Sequence, residues 1–129
     1  VRSRRQRQMC IETAIITAIG NHDESAAFPV NPIAAALLIA DKSDVRNSRV
    51  RNTDISFFDI HDRVNYAVKE NKLKITRDSH IELKLKIDKS MCAVMDYFEI
   101  FLQRMILCRK SAEVLGLEFW LMINKQRVI

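Results

Sequence analysis

The chain has 129 residues, 48% of them hydrophobic and 29% charged, which is enough apolar material for one modest core and excludes a disordered chain. Only two Gly and two Pro exclude collagen-like repeats, long flexible linkers and a turn-dense all-β sandwich. Twenty-one Lys and Arg against sixteen Asp and Glu leave a net charge of +5, which suits an anionic partner such as a phosphorylated small molecule, a nucleotide or nucleic acid.

Residues 4–19 read as a helix, with Ile11, Ile15 and Ile19 at four-residue steps and Met9 and Ile16 widening the same face. Gly20 and Asn21 supply the stop. A loop is expected over residues 22–31, because it opens on the polar His22-Asp23-Glu24 and carries Pro29. Asn31-Pro32 then starts a second helix, since Asn caps and Pro tolerates the first turn. Its run to Asp41 is apolar on all sides, so burial against several neighbours is expected.

Residues 46–58 form a polar connection carrying Arg46, Arg49 and Arg51. A short helix is expected from about Asp59, with Ile60, Val64, Ala67 and Val68 on one side. Two strands follow, in which Leu73 and Ile75, then Ile81, Leu83, Leu85 and Ile87, alternate with Lys, Glu and Thr. Period two predicts one buried face and one solvated, Lys-studded face, with a turn at Arg77-Asp78-Ser79 that leaves His80 exposed. From Lys89 to Leu115 the residues Val94, Phe98, Phe101, Met105, Cys108, Ala112 and Leu115 alternate steps of four and three, the seam of a long packed helix. Gly116 ends it, and a strand follows with Leu117, Phe119, Leu121 and Ile123 on one face. Trp120 and Met122 make the opposite face of that strand apolar too, so it is expected to be central or covered by a second chain.

The expected architecture is α+β, with a helical part over residues 1–70 and a β-β-α-β unit over residues 71–129. An open small sheet with one helix also raises the expectation of a homodimer. No stretch is long and apolar enough to span a membrane. Cys92 and Cys108, if both lie on the long helix, are about 24 Å apart, beyond the roughly 7 Å reach of a disulfide. Three cysteines without a CxxC pair suggest reduced, buried thiols and a cytoplasmic setting.

Two positions carry the strongest chemical signal. His22 follows a helix stop in GNHDE, and Asp41 ends an apolar helix in ADKSD. A carboxylate at an apolar edge is costly unless it is paired or ligates a metal. Imidazole with carboxylate suits a divalent metal, and neighbouring guanidinium groups suit phosphate. Taken singly, a loop His is usually solvated and an Asp near a helix end is usually a cap or an ion pair.

The strings GNHDE, PVNPIAAALLIADKSDV, FDIHDRVNYAV and MDYFEIFLQRM resemble the C-terminal half of HD-domain proteins, a largely helical superfamily that hydrolyses phosphate esters with divalent metals. The resemblance implies that His22 and Asp41 are metal ligands, that Lys42 contacts substrate or transition state, and that Arg46 and Arg49 bind phosphate. The metal implied is divalent, with Mn, Fe, Mg, Ni, Co and Zn all admissible. The early His and the His-Asp dyad of that pattern are not found in residues 1–20, and His61-Asp62 lies downstream of Asp41 where the pattern has no dyad. Two ligands fall short of the three or four a catalytic site uses, so the chain alone is expected to be an inactive portion of a phosphohydrolase. Two non-catalytic readings stand beside it: a basic nucleic-acid-binding module, for which no aromatic stacking platform is visible in the sequence, and a dimerisation unit.

Overall fold

The structure is a computed structural model that describes residues 3–23 and 27–129. Helix α1 (Arg4–Gly20) opens on Ser3, whose hydroxyl accepts from the Gln6 amide while the Gln6 side chain accepts from the Ser3 amide. Helix α2 (Pro32–Lys42) is capped by Asn31, which accepts from the Ala34 amide at 2.8 Å. Two single turns of 3-10 helix (Asn47–Arg49 and Ile55–Phe57) interrupt the polar connection, and Asp59 caps α3 (Ile60–Ala67). Strands β1 (Val68–Thr76) and β2 (His80–Ile87) form a hairpin whose turn uses a positive φ of 56° at Asp78, a conformation Asp tolerates.

Helix α4 (Val94–Val114) carries the chain from β2 to β3 (Glu118–Ile123), which lies parallel to β2 as a helical crossover requires. Gly116, at φ +71°, ends α4 in a Schellman motif: its amide donates to the Glu113 carbonyl and the Leu117 amide to that of Ala112. After β3 comes a short strand, β4 (Gln126–Arg127), absent from the sequence expectation. Asn124 and Lys125 both take positive φ, the type I′ geometry that closes a two-residue hairpin. Asn124 also accepts from the Ile87 amide at 2.8 Å and donates to the Ile87 carbonyl at 3.1 Å, fastening this hairpin to the end of β2. The sheet order is β1-β2-β3-β4, which makes β3 an inner strand. The fold is α+β.

One apolar cluster joins the inner face of the sheet (Ile81, Leu83, Leu85, Ile87, Phe119, Leu121, Ile123) to Phe101, Met105, Cys108 and Ala112 of α4. It continues through Val64, Ala67 and Val68 to Ile39 and Val45, so core packing runs across position 70. Three expectations give way here. The seam of α4 holds from Phe101 to Ala112, but in the first turns Tyr97 is the fully buried residue, and Val94, Phe98 and the capping Leu115 are half-buried. Leu73 and Ile75 remain exposed on β1, which is an edge strand. Cys92 precedes α4 rather than lying on it, no cysteine is in a disulfide, and Cys10 is exposed rather than buried.

The N-terminal helices differ from the reading too. Only one stripe of α2 is buried (Ala34, Ala35, Leu38, Ile39, Lys42), which packs on α4, while its opposite side is open. On α1 only Ala18 is buried. Met9, Ile11, Ile15, Ile16 and Ile19 all face outward.

Candidate functional site

The C-terminal turn of α2 gathers the charged side chains. Lys42 falls on the buried stripe of that helix, one turn after Leu38, where the next core residue would stand. Its side chain is 6% exposed, and its ammonium meets the Asp41 carboxylate at 2.7 Å. Asp41 lies at the rim, 40% exposed, at a helix end whose carbonyls disfavour an anion. Burial raises its carboxyl pKa, but the Lys42 hydrogen bond and charge, with His22 and Arg104 adding to them, outweigh that and hold it below the ordinary carboxylate value. The site therefore keeps an ionised carboxylate in a field of three cationic or imidazole groups.

His22 reaches this field from the end of α1. Its Nδ1 lies on the Ile19 carbonyl, which can only accept, so Nδ1–H donates and Nε2 retains the lone pair in the neutral ring. That arrangement fixes the tautomer in the way ligating imidazoles are commonly fixed, and it also satisfies one of the last carbonyls of α1. Glu24 of the GNHDE string lies outside the described residues.

Two residues escaped the sequence reading. Arg104, on α4, acts electrostatically on Asp41 and lies over the Phe101 ring at 5.1 Å. Its one signal was a charge interrupting the apolar FLQRM string. Asn71, in the middle of β1, donates to the carbonyls of Ser43 at 2.6 Å and Val45 at 2.9 Å. It thereby pins the chain just after Lys42 to the sheet, and nothing in the sequence tied it to a segment 28 residues away.

Arg46 and Arg49 turn to Asp44 rather than Asp41. Arg46 Nε lies 2.7 Å from Asp44, and Arg49 Nη1 contacts both the Asp44 carboxylate at 3.3 Å and its carbonyl at 3.1 Å. Both arginines are about half exposed, so they form a clamp shared with one carboxylate at the mouth of the same end of α2. His61 is exposed on α3. His80, expected to be exposed, is half-buried, with its ring stacked on Trp120 at 3.6 Å and an interplanar angle of 9°.

Behind the charged cluster the wall is inert. Burial drives the Cys108 thiol up to about 12 and the Tyr97 phenol well above its usual value. The phenol donates to the Met105 sulfur at 3.3 Å. Neither is placed to act as a nucleophile or an acid near neutral pH.

Among the described residues, no group of three or more His, Cys, Asp or Glu is arranged to hold a metal ion. His22 supplies an imidazole nitrogen and Asp41 a carboxylate oxygen, donor types that first-row divalent metals accept. Compared with known proteins, the chain matches no family model, no curated protein and no solved structure. Its function has to be argued from these residues.

Proposed function

We propose that the chain is the C-terminal portion of a metal-dependent phosphohydrolase of the HD type, contributing part of a metal site and lacking activity on its own. The observation that carries this reading is the placement of His22 just after the end of α1 and Asp41 in the last turn of α2, nineteen positions apart in sequence, with His22 among the groups that help hold the Asp41 carboxyl below its ordinary value. A divalent ion bound there would polarise a phosphate oxygen and lower the pKa of a bound water. In this reading Asp41 and the Nε2 of His22 hold the ion, and Lys42 keeps Asp41 ionised and turned to the rim. Arg46 and Arg49 meet the phosphate after exchanging Asp44 for it. Arg104 adds positive charge behind the carboxylate.

The outward apolar face of α1 is in keeping with this reading. Five large apolar side chains on one helix are a surface on which further helices would pack, and such helices would carry the remaining ligands.

Sub-stoichiometric Mn2+ added to the isotope-labelled chain should broaden the amide and side-chain NMR signals of His22 and Asp41 before any others, and Asp41→Asn should abolish that selectivity. Broadening that starts elsewhere, or is uniform along the acidic surface, would remove the proposed site. Hydrolysis of a phosphodiester by the chain alone with Mn2+, lost in Asp41→Asn, would instead overturn the statement that it is inactive.

A further inference from the structure

The outer face of the sheet, turned away from α4, carries a basic hollow with no part in the cluster at the end of α2. Its volume is about 680 Å³, and Glu70, Lys72, Lys84, Lys86, Met122 and Lys125 are among the residues lining it. Register explains the assembly. Lys72 stands directly opposite Lys84, and Lys84 opposite Met122, so these three form one row across β1, β2 and β3. Lys86 lies one same-face step further along β2, opposite Glu70. The β3–β4 hairpin then places Lys125 at the rim. Four ammonium groups thus face a single lining carboxylate.

Existing partners hold these lysines weakly. Lys86 meets Glu70 at 3.5 Å and Lys72 meets it only at 4.0 Å, while Lys84 meets Glu82 at 3.4 Å. The lysine side chains are 52–75% exposed. The two pairs to Glu70 are exposed, contribute little and are readily exchanged for phosphate, whereas the Glu82 carboxylate that Lys84 meets is largely buried. Like charges directly opposite on a sheet are unfavourable, so an anion held between Lys72 and Lys84 would relieve their repulsion.

The shape selects among anions. A small-molecule pocket encloses most of its ligand, whereas this hollow is walled by flexible lysines and open along the strands. It is bounded by the β1 edge and the β3–β4 hairpin, three strand spacings or about 14 Å apart. Same-face lysines recur about every 6.7 Å along a strand, a repeat comparable to that of phosphates in an extended single strand. Base stacking is not on offer, because Trp120 has His80 stacked on its ring at 3.6 Å and the Arg127 guanidinium over it at 4.1 Å.

We propose that the outer sheet face binds the phosphodiester backbone of single-stranded nucleic acid through Lys72, Lys84, Lys86 and Lys125, without reading its bases. This surface is independent of the metal reading, since the sheet separates it from His22 and Asp41.

The test is fluorescence anisotropy of a labelled oligothymidylate of about fifteen residues against the full chain, from about 50 to 200 mM salt. Binding should weaken steeply with salt. Lys84→Gln/Lys86→Gln should weaken it about tenfold at the low-salt end and flatten the log–log slope by one to two, about one per lost phosphate contact. Arg109→Gln/Lys110→Gln removes the same charge from the exposed side of α4 and should leave both quantities unchanged. All four substituted side chains are exposed, and far-ultraviolet circular dichroism is to be used to check that each variant is folded. Absence of binding at low salt, or equal losses in the two variants, overturns the proposal. So does displacement by inorganic tripolyphosphate at equal molar concentration, which would make the hollow a site for a small polyphosphate.

Discussion

The two ends of the molecule spend their apolar residues differently. In the sheet and α4, nearly every inward position of β2 and β3 is buried, and the matching face of α4 is sealed against them. In α1 the same kind of periodic pattern leaves five large apolar side chains facing outward. A periodic stripe therefore encodes a surface that wants burial, not a guarantee that this chain supplies the cover. The difference also locates the charged cluster. The charged groups collect at the end of α2, on the border between the closed core and the open helix.

The largest effect should come from the closed side. Leu121 is fully buried on an inner strand, so Leu121→Ala should cost about 2–5 kcal/mol in urea denaturation. Ile16→Ser on α1, at a side chain 70% exposed, should change stability by less than about 0.5 kcal/mol and reduce any self-association seen by sedimentation. Equal losses at the two positions would show that α1 is covered in solution.

The border comes next. Asp41→Asn leaves the buried Lys42 ammonium without its carboxylate and should cost about 1–2 kcal/mol, at the low end for a pair whose acid is partly screened. Lys42→Met, which fills the same core position without charge, should cost less or nothing. The pH dependence has a definite sign. Because folding holds the Asp41 pKa below its unfolded value, the stabilisation is present above that unfolded value, about 3.9. It is lost as pH falls through the lower folded value. The gap between wild type and Asp41→Asn should accordingly be constant from neutral pH to about 5 and close in more acid solution.

The smallest perturbation is a chemical one. Cys10 is exposed on α1, whereas Cys92 and Cys108 are buried with thiols raised by that burial. Ellman's reagent should titrate one thiol quickly in native protein, and Cys108 only after unfolding. Rapid modification of Cys108 would mean that α4 lifts from the sheet.

Much of this was legible beforehand, for local reasons. Asn31-Pro32 and Gly116 mark helix ends through their own local preferences, Asn21 ends α1 by donating its side-chain amide to the Thr17 carbonyl, and the alternation over Ile81–Ile87 states which face of β2 is buried. The pairing of Asp41 with Lys42 was readable as neighbours, but not the burial of Lys42. What stayed hidden was set by distant partners. Strand β4 is two residues long, too short to show a period, and exists because Asn124 bonds to Ile87. Arg104 read as one more charge on a helix until α4 packed against α2.

The order of residues alone determined the α+β class, the ends of most helices and the alternating faces of β2 and β3. Tertiary structure decided the rest. It brought α2 onto α4 so that Lys42 is buried and Arg104 acts on Asp41, and gathered four lysines on the outside of the sheet. Propensity and periodicity act over a turn or a strand, whereas charge and burial depend on which elements meet, and only the folded chain sets that.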